Sequence, residues 1–488
     1  MSLSKNGFTD REIENLFGAE DAEGERKERF KEYFVANKSY EKLTEDLPIR
    51  ILVGHKGVGK SALLRRAYLD DEESGRLAVF IQPGDIEEIA HEIKSQDFNR
   101  LIEGWKRGIV RVIAKKAAER LGASSIEKTM SGWAANLTKG LSATIFDFLS
   151  LIKPEIAGQV EKSLFDRFSK TMNIFVYIDD IDRGWKASNS DINSISALLN
   201  AIRDLGNADE NMRCRIALRT DVYYLVRTSD ESTDKIERNI IQLTWTNHEI
   251  LCLAAYRISR SFGKLDTYQQ IKSMSQSSIS RDILSLVIEE KFTGEGHWSK
   301  APIHRVLLSL CRARPRDLIK MFHGAAKAAY LRGHKIITTH DLESSFPRYS
   351  EERLQDLVNE FKSELPQIQN VLLQFRPAKR QRRTSDSFLF SRDQIIVKIK
   401  NIKQHVSASF TSGKPSSDIE LLTFLYKIDF LQARAEEEDG SIVRRNFDQS
   451  RFLINPTIDF GFDMEVHPAY RWALQPTDIQ GVIDSWIN

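Results

Sequence analysis

The stretch Ile49-Arg-Ile-Leu-Val-Gly-His-Lys-Gly-Val-Gly-Lys-Ser61 constrains the fold more than any other part of the chain. Gly54, Gly57, Gly59, Lys60 and Ser61 stand in the spacing G-x-x-x-x-G-K-[ST]. Ile49 to Val53 is β-branched and aliphatic, as a buried parallel strand requires. Lys60 to Leu69 reads as a helix with Leu63 and Leu64 on one face. A strand, a glycine turn and a helix start are the context in which this spacing binds phosphate. Glycines at 54, 57 and 59 accept φ > 0 and let the backbone approach an oxyanion. Successive N–H groups then form a concave nest, reinforced by the dipole of the following helix. The expected nucleotide-binding residues are Gly54, His55, Lys56, Gly57, Val58, Gly59, Lys60, Ser61 and Ala62. Lys60 is expected to reach the β- and γ-phosphates, and the Ser61 hydroxyl to sit on Mg²⁺.

Four more apolar runs read as strands: Arg76–Gln82, Asn173–Ile178, Cys214–Arg219 and Asn239–Thr244. Helical patterns alternate with them, which predicts an α/β fold with a parallel sheet. Ligands of such sheets bind at the carboxyl ends of the strands. The glycine turn, Asp179-Asp180 and Arg219-Thr220 all fall at those ends. An apolar strand running into two acids is what phosphoryl transfer to water needs, with one carboxylate for the metal and one group to orient the water. Asp179 is assigned to Mg²⁺ and Asp180 to the water. Asp182 competes for the second role, although a local ion pair with Arg183 is the plainer reading. Arg219, Thr220 and Asp221 either sense the γ-phosphate or simply meet solvent at a strand end.

At 488 residues the chain exceeds one hydrophobic core, so about two to four domains are expected. Hydrophobic residues at 41% and charged residues at 29% fit a soluble globular protein. A net charge of +2 gives no global basic field. Cys214, Cys252 and Cys311 have neither disulfide-framework nor zinc spacing. The first residues lack an apolar signal core, and no run approaches the roughly 18 apolar residues of a membrane span. A cytoplasmic protein without membrane partners is expected. Residues 1–48 read as an N-terminal helical cap, in preference to a strap on an adenine. Residues 49–245 are the core, with a helical insertion at about 85–170. Residues 246–345 form a helical lid, and 346–385 a helix and basic linker. Residues 386–488 form a small α/β module, with a helix at Leu421–Leu431 running into a short strand, and further strands at Ser441–Phe447 and Arg451–Asn455. The compositional break at Arg376 predicts that the residues before it fold alone. Arg376 to Arg383 holds five basic residues, either a solvated linker or a phosphate-contacting run. Arg316, in the first turn of a helix begun by Pro315, is a cation where the dipole disfavours one. It therefore calls for an anionic partner, a nucleotide phosphate or an acid of the core.

With these motifs the chain resembles the additional-strand P-loop ATPases, the group of AAA+ and STAND proteins. It looks closest to bacterial single-chain members whose second acidic motif reads D-D-[IL]-D-R and whose lid carries R-P-R-D-L. The residues that carry the likeness are Gly54 to Ser61, Asp179 to Arg183, Leu218 to Asp221 and Arg314 to Leu318. The likeness spans about residues 15–345. It implies a sheet order of 5-1-4-3-2, Arg316 as a second sensor, and Thr220 or Arg219 as a first sensor. It further implies a winged-helix-like C-terminal module. The family usually carries Glu where this chain has Asp180, which points to a slow or partner-stimulated ATPase. The implied function is an ATP- and Mg²⁺-driven molecular switch in bacterial signalling, mobile elements or antiphage defence. The alternative is an ATP-regulated DNA-binding protein acting through the C-terminal module and the basic linker. A small-molecule kinase fits less well, since it needs neither the lid nor that module. In the resembled fold Arg238 faces a neighbouring subunit, where it would act as an arginine finger in a homo-oligomer. The plainer alternative for Arg238 is a pairing with the helix end and a local acid.

Overall fold

The computed structural model describes residues 7–20, 24–123, 129–130, 133, 137–153, 156, 158–229, 231–264, 266–294, 298–378, 387–413, 416–437, 442–451, 453–454 and 460–475. The chain divides into two compact units. Residues 36–244 form one; residues 1–35 and 245–488 form the other.

The first unit is built on a parallel sheet. Among the described residues its strands are β1 (Ile49–Gly54), β2 (Leu77–Ile81), β3 (Ile174–Ile178), β4 (Met212–Arg219) and β5 (Ile240–Gln242). They lie in the order β2-β3-β4-β1-β5, which is the expected 5-1-4-3-2 read from the other edge. All four pairings are parallel. Leu52, Val53, Ile178, Ile216 and Leu218 are completely buried, as strands covered on both faces require. In the β1–β4 register Gly54 stands opposite Arg219, while Ile178 stands opposite Ile216. The β4 strand therefore runs three residues beyond the end of β3.

The expected boundaries shift where local structure competes. Residues Glu231–Asn239 form a 3-10 turn, so β5 is shorter than the apolar run from Asn239 to Thr244. Pro83 opens the helix Pro83–Glu92 and stops β2 at Ile81. The helices Phe98–Arg120, Leu141–Ile152 and Gln159–Thr171 fill the helical insertion.

The second unit is mainly helical, with the long helices Asn247–Ser261, Pro315–Leu331 and Thr339–Phe361. The N-terminal helix Asp10–Phe17 packs here: Phe17 stacks on Phe322 with ring centroids 4.7 Å apart. Residues 387–475 add the helices Arg392–His405 and Asp418–Lys427 and a second sheet. Its strands are β6 (Leu389–Phe390), β7 (Leu431–Glu436), β8 (Ile442–Arg445) and β9 (Asp463–Val466), in the antiparallel order β6-β9-β7-β8. The strand expected at Arg451–Asn455 is not formed by its described residues, 451, 453 and 454. The strand is β9 instead. Its Glu465 is buried at 3% exposure and breaks the apolar pattern; Arg444 and Arg471 pair with it. The basic residues Arg380, Arg382 and Arg383 lie outside the described residues.

Buried ion pairs cross the compositional break at Arg376. Arg314 Nη2 lies 3.2 Å from Asp429 Oδ2, and its Nη1 lies 3.7 Å from Glu360. Arg312 grips both oxygens of Asp317 at 2.8 Å and donates to the Tyr470 hydroxyl at 3.0 Å. Burial alone would raise the Asp317 carboxyl, but Arg312 and Arg353 hold it well below the usual carboxylate range. Removing one partner of a buried pair leaves an uncompensated charge and costs about 3–5 kcal/mol. The Asp429→Ala variant should therefore melt well below the wild type, and a chain ending before Arg376 should be destabilised for the same reason. Calorimetry of the two proteins measures it; melting at the wild-type temperature would show that the network does not hold the module.

Candidate functional site

The glycine turn connects β1 to the helix Lys60–Glu73. Gly57 has φ 85° and Gly59 φ 99°, both in the left-handed region that favours glycine. A Cβ on Gly59 would meet nothing within 4 Å, so the demand there is conformational. At Gly54 the demand is different, which corrects the expectation of three φ > 0 glycines. Its φ lies outside the positive region, and an added Cβ would come within 2.8 Å of Val58 Cγ2 and 3.2 Å of the Leu243 carbonyl. Gly59 is also the residue before the helix, so no side chain caps the first-turn N–H groups. Those donors suit an anion. Lys60 Nζ donates to the carbonyls of Gly54 at 2.7 Å and His55 at 3.1 Å, so the ammonium lies over the turn. His55 and Val58 are buried, Lys56 is exposed, and Ala62 is half-buried.

Asp179 follows β3 and its carboxylate meets the Ser61 side chain. Burial raises this carboxyl, opposed by the Ser61 hydroxyl and by the Asp180 N–H, which donates to Oδ1 at 2.9 Å. The sheet thus joins the hydroxyl and the carboxylate assigned to Mg²⁺. Among the described residues no group of three or more His, Cys, Asp or Glu could hold a metal. One hydroxyl and one carboxylate suit Mg²⁺, which keeps water and takes phosphate oxygens as its other ligands.

Asp180 is exposed and has φ 54°, a conformation that Asp tolerates better than most residues. The bend turns Ile181 and Asp182 inward, and both are buried. The expected Asp182–Arg183 pair is replaced: Arg183 is exposed, and Asp182 Oδ2 lies 3.4 Å from Arg219 Nε. Adjacency in sequence suggests Arg183, whereas the pairing of β3 with β4 brings Arg219, at the end of β4, to Asp182. Arg219 also donates from Nε and Nη2 to the carboxylate of Asp221, at 3.1 and 2.6 Å. Thr220 is completely buried, and its hydroxyl has no hydrogen-bond partner among the described residues.

Two further expected site residues are Arg238 and Arg316. Arg238 is exposed at the end of the 3-10 turn, beside an open groove lined by Arg203, Asp204, Asn207 and Lys235. Arg316 belongs to the other unit, where its Nε donates to the Glu20 carbonyl at 3.0 Å.

The family described as the FunZ-associated C-terminal helical domain matches residues 255–358, all in the second unit. An 80.3 kDa protein assigned to transposon gamma-delta of Escherichia coli (strain K12) is 21% identical over 523 aligned residues, covering 97% of this chain and 70% of that protein. Among solved structures the chain is similar to the Aeropyrum pernix ORC2 protein in ADPNP–ADP complexes, with a TM-score of 0.40 and 10% identity. It is also similar to Cdc6p from Pyrobaculum aerophilum, with a TM-score of 0.29 and 13% identity. Each alignment covers 90% of this chain and 88% of the other. Among the described residues no helix is long and apolar enough to cross a membrane.

The cluster carries a pH signature. Burial pushes the Asp182 carboxyl up to about 6, against the pull of Arg219 and Lys60 and together with the charges of Asp221 and Asp180. A carboxyl raised on folding binds its proton more tightly in the native state. The associated stability is present below the unfolded value near 4 and is lost as pH rises through about 6. The Asp182→Asn variant should therefore gain on the wild type, by on the order of 1–3 kcal/mol, between pH 4 and pH 7. Paired thermal melts across that range test it; a constant difference would mean that Asp182 is ionised throughout.

Proposed function

We propose that the chain binds Mg²⁺–ATP at residues 54–62 and hydrolyses it slowly or under stimulation by a partner, as a molecular switch. The observation that carries this reading is the meeting of Ser61 with Asp179 below the Lys60 ammonium, at the carboxyl end of a parallel sheet. Lys60 would exchange its two carbonyl partners for phosphate oxygens. Ser61 and Asp179 would hold Mg²⁺, which when bound neutralises phosphate charge. Asp180 is exposed where Asp182 is buried against Arg219, which supports Asp180 as the group that orients the attacking water. Arg219 ends β4 level with Gly54 and Thr220 begins the helix that follows, a place suited to sensing a terminal phosphate. Arg316 is carried over as a second sensor on the resemblance alone. The exposure of Arg238 supports a finger reaching a second copy in a head-to-tail oligomer. The helices and antiparallel sheet of residues 387–475 are read as the winged-helix-like module. Of the three settings named for such switches, the mobile element is the one shared with the transposon-assigned relative.

Calorimetric titration tests the binding claim. Lys60→Ala should lose ATP binding while keeping its melting transition, and near-wild-type affinity would sink the reading. In turnover assays Asp180→Asn should bind Mg²⁺–ATP yet fail to hydrolyse it, whereas Asp179→Asn should weaken the dependence on magnesium. Normal turnover by Asp180→Asn together with a dead Asp182→Asn would reverse the two assignments. For Arg238, mixing inactive Arg238→Ala with inactive Lys60→Ala should restore some activity, because mixed interfaces join an intact finger to an intact loop. A co-assembled mixture that stays inactive rules the finger out.

A further inference from the structure

We propose that Asp182 is a positioning residue that acts through Arg219 on the terminal phosphate of the nucleotide. The inference rests on the ATP reading above and adds a residue that the motif leaves without a role. Arg219 is the last residue of β4, and Thr220 begins the helix Thr220–Ser229 with no loop between, so the backbone holding Arg219 is fixed on both sides. In register it stands beside Gly54, where the phosphate loop begins. Two carboxylates approach its guanidinium. Asp221 takes Nε and Nη2 together, and Asp182 adds a second charge to the same Nε edge at 3.4 Å. A guanidinium is a rigid planar fork, so fixing one edge sets the direction of the remaining N–H groups.

A purely local role for Asp182 explains less. The loop after β3 is closed by its own backbone: Arg183 N–H donates to the Asp180 carbonyl and Trp185 N–H to the Asp182 carbonyl, both at 3.1 Å. Ile181, Trp185 and Ala187 are buried and anchor it. The Asp182 carboxylate is not needed for that closure. Burying it is unfavourable unless it is paired, and Oδ2 makes no hydrogen bond among the described residues. Its one ionic partner among them is Arg219. Orientation of that arginine accounts for a carboxylate kept at a position where an apolar residue would pack at lower cost.

The test uses calorimetric titration of the full chain with Mg²⁺ and either ADP or a non-hydrolysable ATP analogue. The wild type should prefer the triphosphate analogue. Asp182→Asn and Arg219→Gln should each reduce that preference about tenfold, the scale of one charge-assisted hydrogen bond. The double variant should lose no more than either single one, and ADP affinity should change less than twofold. Asp182→Glu, which displaces the carboxylate by one methylene, reads the same ratio if the Asn variant does not fold. A wild-type ratio in the Asp182 variants, or in Arg219→Gln, overturns the inference while nucleotide binding stands. A wild-type chain that binds neither nucleotide overturns the proposed function and this inference with it.

Discussion

The placement of β4 between β1 and β3 is the constraint on which the candidate site depends. Parallel pairing aligns the carboxyl ends of three strands that are far apart in the chain. Gly54, Asp179 and Arg219 are brought to one edge by it, although more than a hundred residues separate the first from the second. No local sequence preference could do this. The alignment follows from burying strands such as Ile49–Val53 and Ile174–Ile178 on both faces, where backbone pairing is the only way to satisfy their N–H and C=O groups. Ser61 can meet Asp179 only because the helix after β1 starts at the same edge.

Buried charge recurs in both units with different consequences. At the sheet edge, Asp182 and Asp221 share one guanidinium; burial, with a smaller contribution from the Asp221 charge, pushes the Asp182 carboxyl up to about 6. In the helical unit Asp317 has two arginines and is held far below the usual range. The first arrangement is a carboxyl whose charge responds to its surroundings. The second is a fixed clamp, and it ties Arg312 and Arg314 of the R-P-R-D-L region to Tyr470 and Asp429. Within that motif Arg314 is buried in the clamp while Arg316 remains at the surface.

Much of the first unit was legible in the chain because its signals are redundant. The strands are mostly apolar runs, interrupted by Arg50 in β1 and by Arg213 and Arg215 in β4, and three of them end in glycine, acids or Arg-Thr at the edge where ligands bind. The readings failed where a single residue overrode the pattern. Asp182, buried after the left-handed Asp180, meets Arg219 from another strand, while Arg183 is exposed. The crowding of Val58 and Leu243, invisible in sequence, explains Gly54 better than backbone conformation does. Strand β9 was missed because buried Glu465 is charged, and its partners Gln432, Arg444 and Arg471, which make it tolerable there, lie on other elements. The ties across Arg376 were hidden for the same reason: a composition break shows where solvated residues lie, and says nothing of which buried charges pair across it.

The central claim is that the Ser61 hydroxyl and the Asp179 carboxylate form the metal-holding half of a nucleotide site. Its most direct measurement is the affinity of the chain for ATP with and without Mg²⁺, compared with that of Ser61→Ala. The account predicts that Mg²⁺ tightens ATP binding in the wild type and that the tightening is lost in the variant. Equal affinity with and without Mg²⁺ in the wild type, or an undiminished magnesium effect in Ser61→Ala, would contradict it.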